Sequence, residues 1–235
     1  MSSGLAQVLA AAIAAGSLPC AADEFPLKPI RLIVPFTLGG GTDLVSRTVG
    51  QKLSERRGRT VVIDNRPSAG GIVASDIVAK AAPDGYTLCV VTPTQTINPS
   101  LHAKLPFDTL NDFAPVVLMN RLQLILVVNT AFPPQTVREL PAYAKARPGQ
   151  INFASTGTGG SAHLAVELIK KMAGIEMTHI PYKGSAPADT DLMSGQIQLL
   201  SNNIISTMPL VRADAAAQQL PRRHRAQSAT AIRQR

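Results

Sequence analysis

A strand, a glycine-rich loop and a helix follow one another without a gap between residues 151 and 174, and this unit restricts the possible fold more than any other stretch. Residues 151–155 (INFAS) have the β-branched and aromatic character of a short strand. The loop 156–160 (TGTGG) is tight because of its glycines. A helix is then predicted from Ser161 to a stop signal at Gly174, since apolar residues recur at helical spacing at Leu164, Leu168, Ile169 and Met172.

A glycine loop that leads into a helix offers an anion free N–H groups at the positive end of the helix dipole. Residues 155–163 are therefore interpreted as half of an anion-binding site. The alternative is a plain turn that binds nothing, because many strand–loop–helix turns carry glycine. This stretch by itself leaves both interpretations open.

The same unit recurs in the first half of the chain. Residues 29–34 predict a strand, residues 35–43 (PFTLGGGTD) a glycine turn, and a helix is expected to follow as far as Arg57. A strand at 60–64, a glycine loop at 65–71 with a helix after it, and a strand around Cys89 come next. Strands that alternate with helices predict an α/β fold with parallel pairing. If the two glycine loops lie in different domains, they would face each other beyond the carboxyl ends of the strands.

The middle of the chain has a different character. Residues 92–112 are polar and contain prolines, and the apolar run 122–128 is expected to lead into a second domain. A capping box at 136–139 (TVRE) predicts a helix start. Later elements are expected as a strand at 177–182, a short helix at 188–193 and a strand at 196–200.

Composition excludes some classes of function. The 235 residues allow one or two domains, and 45% hydrophobic residues are ample for a core. Aromatic residues amount to 4% and Trp is absent, which argues against a platform for stacking bases. The net charge of +8 depends strongly on five arginines that follow Arg212, against Asp214 alone. We therefore expect no nucleic-acid partner.

The first residues are typical of a secretory signal peptide. An apolar run at 5–15 precedes small residues, and cleavage is expected after Ala22, although no Lys or Arg precedes the run. The predicted location is the periplasm. Cys89 would then stand alone as a small core residue, and neither cysteines nor histidines have metal-ligand spacing, so no metal and no cofactor is expected.

Nucleophilic catalysis is the competing interpretation of the second glycine loop, as a small serine esterase that uses Ser155 or Ser161 with His163. Ser161 and His163 are two residues apart on a helix, so their side chains do not face each other. The sequence has no G-x-S-x-G elbow. It also lacks a P-loop and a G-x-G-x-x-G fingerprint. We predict no catalytic residue and no nucleotide.

Ordered motifs along the chain resemble one family. They are KPIRLIVPF (28–36), DNRP (64–67), AGG (69–71), PDGYTL (83–88), LPFD (105–108), ASTGTGGS (154–161), HLA (163–165) and PYKG (181–184). From about Phe25 to about Arg212 the chain is similar to the Bug receptors. These are the periplasmic solute-binding proteins of tripartite tricarboxylate transporters.

The resemblance implies a two-lobed periplasmic-binding-protein-like (type II) fold that closes on a small organic carboxylate and performs no chemistry. The expected first lobe is 23–120, and the second is 121–212. The implied partners are the membrane subunits of the transporter, and the receptor is expected to be a monomer. A receptor that reports ligand occupancy to a signalling protein is an alternative.

The resemblance also implies where the ligand lies. Residues 36–43 would supply one jaw and residues 155–163 the other, with the turn 182–184 nearby. Backbone N–H groups, hydroxyls and helix N-termini hold a carboxylate well. The expected ligand-binding residues are Phe36, Thr37, Gly39, Gly40, Asp43, Ser155, Thr156, Gly157, Thr158, Gly160, Ser161, His163, Tyr182, Lys183 and Gly184.

The sequence departs from the family after Arg212. Residues 214–235 are rich in Ala and Arg and have no apolar period, so we hypothesise a frameshift there. Residues 213–235 are accordingly expected to be an aberrant, disordered basic tail. The family usually continues and returns to the first lobe, so the first lobe is expected to be incomplete. We expect a chain of low stability with exposed apolar surface.

Overall fold

The computed structural model describes residues 25–217 and 229–231. The predicted signal peptide and most of the predicted basic tail lie outside these residues. In the described part of the chain, no helix combines the length and the apolar character that crossing a bilayer requires.

The first sheet contains three parallel strands in the order β2-β1-β3. The strands are β1 (Ile30–Val34), β2 (Val61–Asn65) and β3 (Thr87–Cys89). Each strand precedes a helix: α1 (Gly41–Arg57), α2 (Ile72–Ala79) and α3 (Thr94–Leu101). The central strand β1 is buried at four of its five positions, which explains its nearly continuous apolar sequence. The α/β prediction for this half is confirmed.

The second sheet contains five strands in the order β6-β5-β7-β4-β8. They are β4 (Leu124–Asn129), β5 (Asn152–Ser155), β6 (Thr178–Pro181), β7 (Leu199–Asn203) and β8 (Ala229–Ala231). The helices are α4 (Leu140–Lys145), α5 (Ser161–Ala173), α6 (Ser185–Ser194) and α7 (Ile204–Ala217). Strand β5 runs parallel to β6 and β7, whereas β4 is antiparallel to β7 and β8. The carboxyl ends of β5 and β6 therefore lie side by side, where α5 and α6 begin.

Neighbouring residues on the strands of this sheet point to opposite faces, and each face has its own core. Phe153 belongs to the cluster that also contains Val128, Val166 and Leu199. Ala154, the next residue, belongs to the cluster that contains Leu192 on the opposite face. The sheet is thus covered by helices on both sides, as the alternation of elements predicts.

Some elements begin at positions that differ from the sequence prediction. Helix α4 begins at Leu140 rather than at the capping box. Glu139 does accept a hydrogen bond, from the N–H of Gln135 at 2.8 Å, but residues 137–139 form a turn. Helix α3 lies inside the polar stretch 92–112 and contains Pro99. The last predicted strand, 196–200, is displaced to Leu199–Asn203.

Two parts of the expected basic tail, 213–217 and 229–231, are among the described residues and lie in regular secondary structure. Helix α7 continues to Ala217, and β8 pairs with β4 through the register Val127↔Ala231, Val128↔Thr230 and Asn129↔Ala229. This pairing uses backbone groups along the free edge of β4, so it does not need an apolar period in the sequence.

The apolar run 113–119 forms no regular secondary structure. Val116, Val117 and Leu118 are 76%, 75% and 67% exposed. Exposed apolar surface, which the sequence led us to expect, is therefore present in the first lobe.

Candidate functional site

Three helices begin where the two lobes meet, and each has glycine at its N-cap. Gly40 precedes α1 in the first lobe, whereas Gly160 and Gly184 precede α5 and α6 in the second. None of these caps makes a side-chain hydrogen bond to the helix. The N–H groups of the first turns thus have no side-chain cap. The first turns of α5 and α6 contain no acidic residue, whereas the first turn of α1 contains Asp43.

The two lobes approach each other closely through these loops. The N–H of Thr37 donates to the carbonyl oxygen of Lys183 at 3.3 Å. A Cβ atom at Gly40 would lie 3.6 Å from the hydroxyl oxygen of Ser185, and one at Gly157 would lie 3.8 Å from the backbone nitrogen of Gly70. Residues of both predicted jaws, 36–43 and 155–163, therefore lie at the contact between the lobes, which is called the cleft below.

Helix α3 extends the first wall of this cleft. A Cβ atom at Gly160 would lie 3.4 Å from the hydroxyl oxygen of Thr94, and one at Gly159 would overlap the side chain of Leu101. Both α3 residues belong to the first lobe and both glycines to the second. The absence of side chains on the glycine loop is thus what lets α3 come close to it.

Three buried polar atoms of the first lobe, Thr37 Oγ1, Gln95 Nε2 and Asn98 Oδ1, have no hydrogen-bond partner. Thr37 Oγ1 lies against Gly184 of the second lobe. Asn98 is fully buried and donates its Nδ2 to the carbonyl oxygen of Gly70 at 2.9 Å. An unpaired buried polar atom costs about 1–3 kcal/mol, so such atoms are expected where a ligand completes the hydrogen bonding.

The first jaw is supported by Asp43, which is 2% exposed. Its carboxylate accepts hydrogen bonds from the N–H of Gly39 at 3.0 Å, from Arg47 Nε at 3.0 Å and from Asn65 Nδ2 at 2.9 Å. Asn65 Nδ2 also donates to the carbonyl oxygen of Phe36 at 3.1 Å. The N–H of Gly39 is thus used within the jaw, and Asp43 shapes the loop instead of presenting an acceptor to the cleft.

Two opposing effects set the pKa of Asp43. Burial alone would raise it, but the hydrogen bonds from Arg47, Gly39 and Asn65 outweigh burial and lower the pKa. The carboxylate is therefore charged at neutral pH, and Arg47 balances its charge. The jaw contributes no uncompensated negative charge that would repel an anion.

The second jaw is held by two histidines that lie on the same face of the sheet as Phe153. Ser155 is fully buried, and its hydroxyl lies 2.8 Å from His179 Nε2 and 3.0 Å from the carbonyl oxygen of Gly157. The N–H of Gly159 donates to His163 Nδ1 at 3.1 Å. Burial lowers the pKa of His163 and, together with neighbouring His163, lowers that of His179 to about 4.

The esterase interpretation paired Ser155 with His163, but the structure places a different histidine beside Ser155. The imidazole that reaches Ser155 belongs to His179, which the sequence analysis did not connect with the loop. Ser155 is enclosed, and the carboxylate near the pair, Glu167, lies 3.6 Å from His163 Nε2 rather than beside His179. The arrangement lacks both the access and the third group that an activated serine requires.

Two predicted ligand-binding residues in the 182–184 turn do not direct their side chains into the cleft. Tyr182 packs against the core, and Lys183 is exposed to solvent. The Tyr182 hydroxyl donates to Asp191 at 2.5 Å, and its ring packs against the core that contains Leu192. Burial and then this carboxylate raise the pKa of Tyr182 to about 12. Lys183 is exposed, and only its carbonyl oxygen reaches the first lobe.

The remaining predicted residues of the second jaw differ in exposure. Thr156 and Ser161 are half-buried and Thr158 is exposed, whereas Gly157 is buried. The described ranges contain no group of three or more His, Cys, Asp or Glu side chains arranged to hold a metal ion.

Sequence reasoning missed several residues of the cleft. They are Gly70, Thr94, Ser185 and Asn203. The glycine loop at 65–71 was a usable signal, because it has the same strand–loop–helix form as the two predicted jaws. The polar side chain of Thr94 gave no such signal, since it became significant only once α3 was placed against the second lobe.

Comparison with known proteins gives one family. The model of the family described as "Tripartite tricarboxylate transporter family receptor" (TctC) matches residues 45–227. The chain is 37% identical over 197 residues to the protein BugT of Bordetella pertussis, which covers 83% of this chain and 60% of BugT. The chain spans 55% to 60% of the length of BugT and two other curated relatives.

Solved structures agree with this match. The R. palustris protein Rpa4515, solved with adipate, has a TM-score of 0.79 and 33% identity, with 88% of this chain and 77% of that chain covered. MatC (Rpa3494) from Rhodopseudomonas palustris, solved with malate, has a TM-score of 0.75 and 31% identity, with 80% and 65% covered. The two-lobed binding-protein fold expected from the sequence is confirmed. The chain belongs to the tripartite tricarboxylate transporter receptor family, which includes the Bug proteins.

Proposed function

We propose that this chain is an extracytoplasmic receptor that binds a small organic carboxylate between its two lobes. The observation that carries the proposal is the meeting of α1, α5 and α6 at one cleft, each with a glycine N-cap and no side-chain cap. Backbone N–H groups at helix N-termini suit a carboxylate, and they attract it from both lobes at once.

One unpaired buried atom supports the same ligand class. Thr37 Oγ1, which lies against Gly184 of the second lobe, carries a hydrogen-bond donor that a carboxylate oxygen would accept. Family members solved with adipate and malate hold ligands of this chemistry. Closure of the lobes on the ligand is the proposed mechanism, since contacts with both jaws stabilise the closed state.

We also propose that the receptor is exported to the periplasm by residues 1–22 and acts as a monomer. Its proposed partners are the membrane subunits of a tripartite tricarboxylate-type transporter, to which it delivers the ligand. Membership of the receptor family supports this role. Enzymatic turnover is not part of the proposal.

Thermal unfolding in the presence of dicarboxylates, tricarboxylates, amino acids and aromatic acids tests the ligand class. A true ligand raises Tm, because it binds the native state alone. Isothermal titration then compares Thr37→Val with wild type. We expect affinity to fall roughly 10- to 100-fold, since a hydrogen bond to a charged group contributes about 1.5–3 kcal/mol.

A matched control is Thr48→Val on α1, where the threonine is exposed and bonds the carbonyl oxygen of Leu44 at 2.9 Å. This variant should bind like wild type. The proposal is wrong if no carboxylate raises Tm, or if Thr37→Val and Thr48→Val bind equally well.

A further inference from the structure

The loop between β5 and α5 is held at both ends by imidazole rings. His179 reaches Ser155 at the start of the loop at 2.8 Å, and His163 accepts the N–H of Gly159 near its end at 3.1 Å. The two rings stack with their centroids 3.9 Å apart and their planes 21° apart. One stacked pair therefore connects the strand side of the loop with its helix side.

The hydrogen bonds fix the proton positions on both rings. Because the Ser155 hydroxyl donates to the carbonyl oxygen of Gly157 at 3.0 Å, its oxygen accepts from His179 Nε2–H. His163 Nδ1 accepts from Gly159, so the proton of that neutral ring is on Nε2. The loop geometry thus requires His163 to be neutral, because a protonated Nδ1 accepts no hydrogen bond.

Burial of the pair opposes positive charge, whereas Glu167, 3.6 Å from His163 Nε2, favours it. Phe153 stacks against His179 with a centroid distance of 4.9 Å, and Lys170 Nζ lies 5.3 Å from the Phe153 ring. The charged groups that face the rings among the described residues are Glu167 and Lys170, both on α5, and they form an ion pair at 2.7 Å. The sheet contributes the uncharged Phe153 and Ser155. Two imidazolium ions at this spacing would repel each other strongly.

We propose that His163 and His179 are positioning residues for the carboxylate site: their stacked rings hold the loop Ser155–Gly160 so that its backbone, and the first turn of α5, face the cleft. The inference rests on the proposed function. Neither ring needs to touch the ligand. Protonation of His163 removes the acceptor for the N–H of Gly159, so ligand affinity falls in acid.

Isosteric variants test this assignment. His163→Asn places an amide oxygen near the position of Nδ1, and His179→Gln places an amide donor near the position of Nε2, and neither titrates. At pH 7.5 we expect the double variant H163N/H179Q to bind within about threefold of wild type. The variants H163A and H179A should bind roughly tenfold more weakly, because each lacks one hydrogen bond to the loop.

The pH profile distinguishes positioning from a merely structural role. Because the pKa of His163 is lowered and that of His179 is about 4, the comparison extends to pH 4. Between pH 7.5 and pH 4, wild type should lose at least about threefold more affinity than H163N/H179Q. Titration of the ligand's own carboxyl groups is common to both proteins and cancels in the comparison. His102→Asn is the matched control, since His102 is exposed at the end of α3, and it should retain the wild-type profile. Identical profiles for wild type and the double variant would overturn the inference.

A measurement without ligand separates this inference from the proposed function. In amide NMR spectra of the ligand-free chain, the Gly159 N–H resonance should shift with the same midpoint as the His163 ring protons. If no carboxylate binds but this coupling is seen, the proposed function fails and the loop assignment stands. If Gly159 does not respond while His163 titrates, the loop assignment is wrong whatever binds.

Discussion

The hydroxyl oxygen of Thr37 occupies the space that a side chain on Gly184 would need: a Cβ atom there would lie 2.0 Å away. Thr37 belongs to the first lobe and Gly184 to the second, and Gly184 is also the N-cap of α6. Closure at this point therefore depends on glycine for steric reasons, independently of the hydrogen bonds that a ligand makes.

Gly184→Ala should keep the lobes apart. The φ angle of Gly184 is 166°, which alanine adopts without strain, so the effect is a clash between the lobes alone. Ordinary contact distances require a separation of at least ~1 Å at this point. Small-angle scattering with and without ligand should show a variant that no longer becomes more compact.

Gly40→Ala is the matched control for closure, because its Cβ would meet Ser185 at an ordinary 3.6 Å. It should close as wild type does in the same scattering experiment. A Gly184→Ala protein that closes normally would mean that Thr37 and Gly184 do not meet in solution.

Asp43→Asn should lower the free energy of unfolding by about 2 kcal/mol at pH 7, because it removes the charge that Arg47 and the N–H of Gly39 bind. The pKa of Asp43 is lowered in the folded state, so its stabilisation is present above the unfolded value of 3.8 and is lost below it. Urea unfolding at pH 7 and pH 3 should therefore show a difference that shrinks in acid. Glu55→Gln, in the exposed pair with Lys52 on the same helix, should cost less than about 0.5 kcal/mol.

Asp189→Asn should stabilise the protein at neutral pH. Burial raises the pKa of Asp189 to about 6, although hydrogen bonds from Asn202 and Thr207 act in the opposite direction. The stability that the protonated form provides is complete below pH 4 and is lost as the pH rises through 6. The gain of the variant over wild type should thus grow from pH 4 to pH 7, to about 1–3 kcal/mol in urea unfolding.

Glu176→Gln provides the comparison for that series, since Glu176 is exposed. Its free energy of unfolding at neutral pH should stay within about 0.5 kcal/mol of the wild-type value. A flat difference between Asp189→Asn and wild type would show that Asp189 does not titrate as described.

Val127→Thr and Val117→Thr make the same chemical change in opposite surroundings. Val127 is fully buried in the second sheet, and Val117 is 75% exposed. The free energy of unfolding of Val127→Thr should fall by about 2 kcal/mol, because the new hydroxyl is buried without a hydrogen-bond partner. That of Val117→Thr should stay within about 0.5 kcal/mol of wild type. Val117→Thr should also bind less of a dye that reports exposed apolar surface. Equal losses of stability would contradict the burial described for the run 113–119.

Much of the fold follows from the sequence because its signals are local. The spacing of Leu164, Leu168 and Met172 predicted α5, and Gly174 marks its end as predicted. The helix start predicted from the capping box at 136–139 was wrong: Pro141 follows the box, and the helix begins only at Leu140. Helix α3 was missed because Pro99 and polar residues mask its period.

The site was less predictable because it depends on contacts between distant parts of the chain. His179 reaches Ser155 only because β5 and β6 pair in parallel with Phe153 opposite His179. The direction of the Tyr182 side chain depends likewise on Asp191 and the core behind it. The glycine loops were visible in the sequence, but the polar side chains opposite them were not.

Residues 102–123 contain no helix or strand, and they join the first sheet to β4 of the second. Cleavage within this segment would leave two fragments, each with its own sheet. Among the described residues, the contacts at the cleft would then help to hold the fragments together. A ligand that contacts both jaws would stabilise the complex of the two fragments. The segment 102–123 is therefore a suitable place to divide the chain for a two-fragment reporter, in which association of the fragments indicates that the ligand is present.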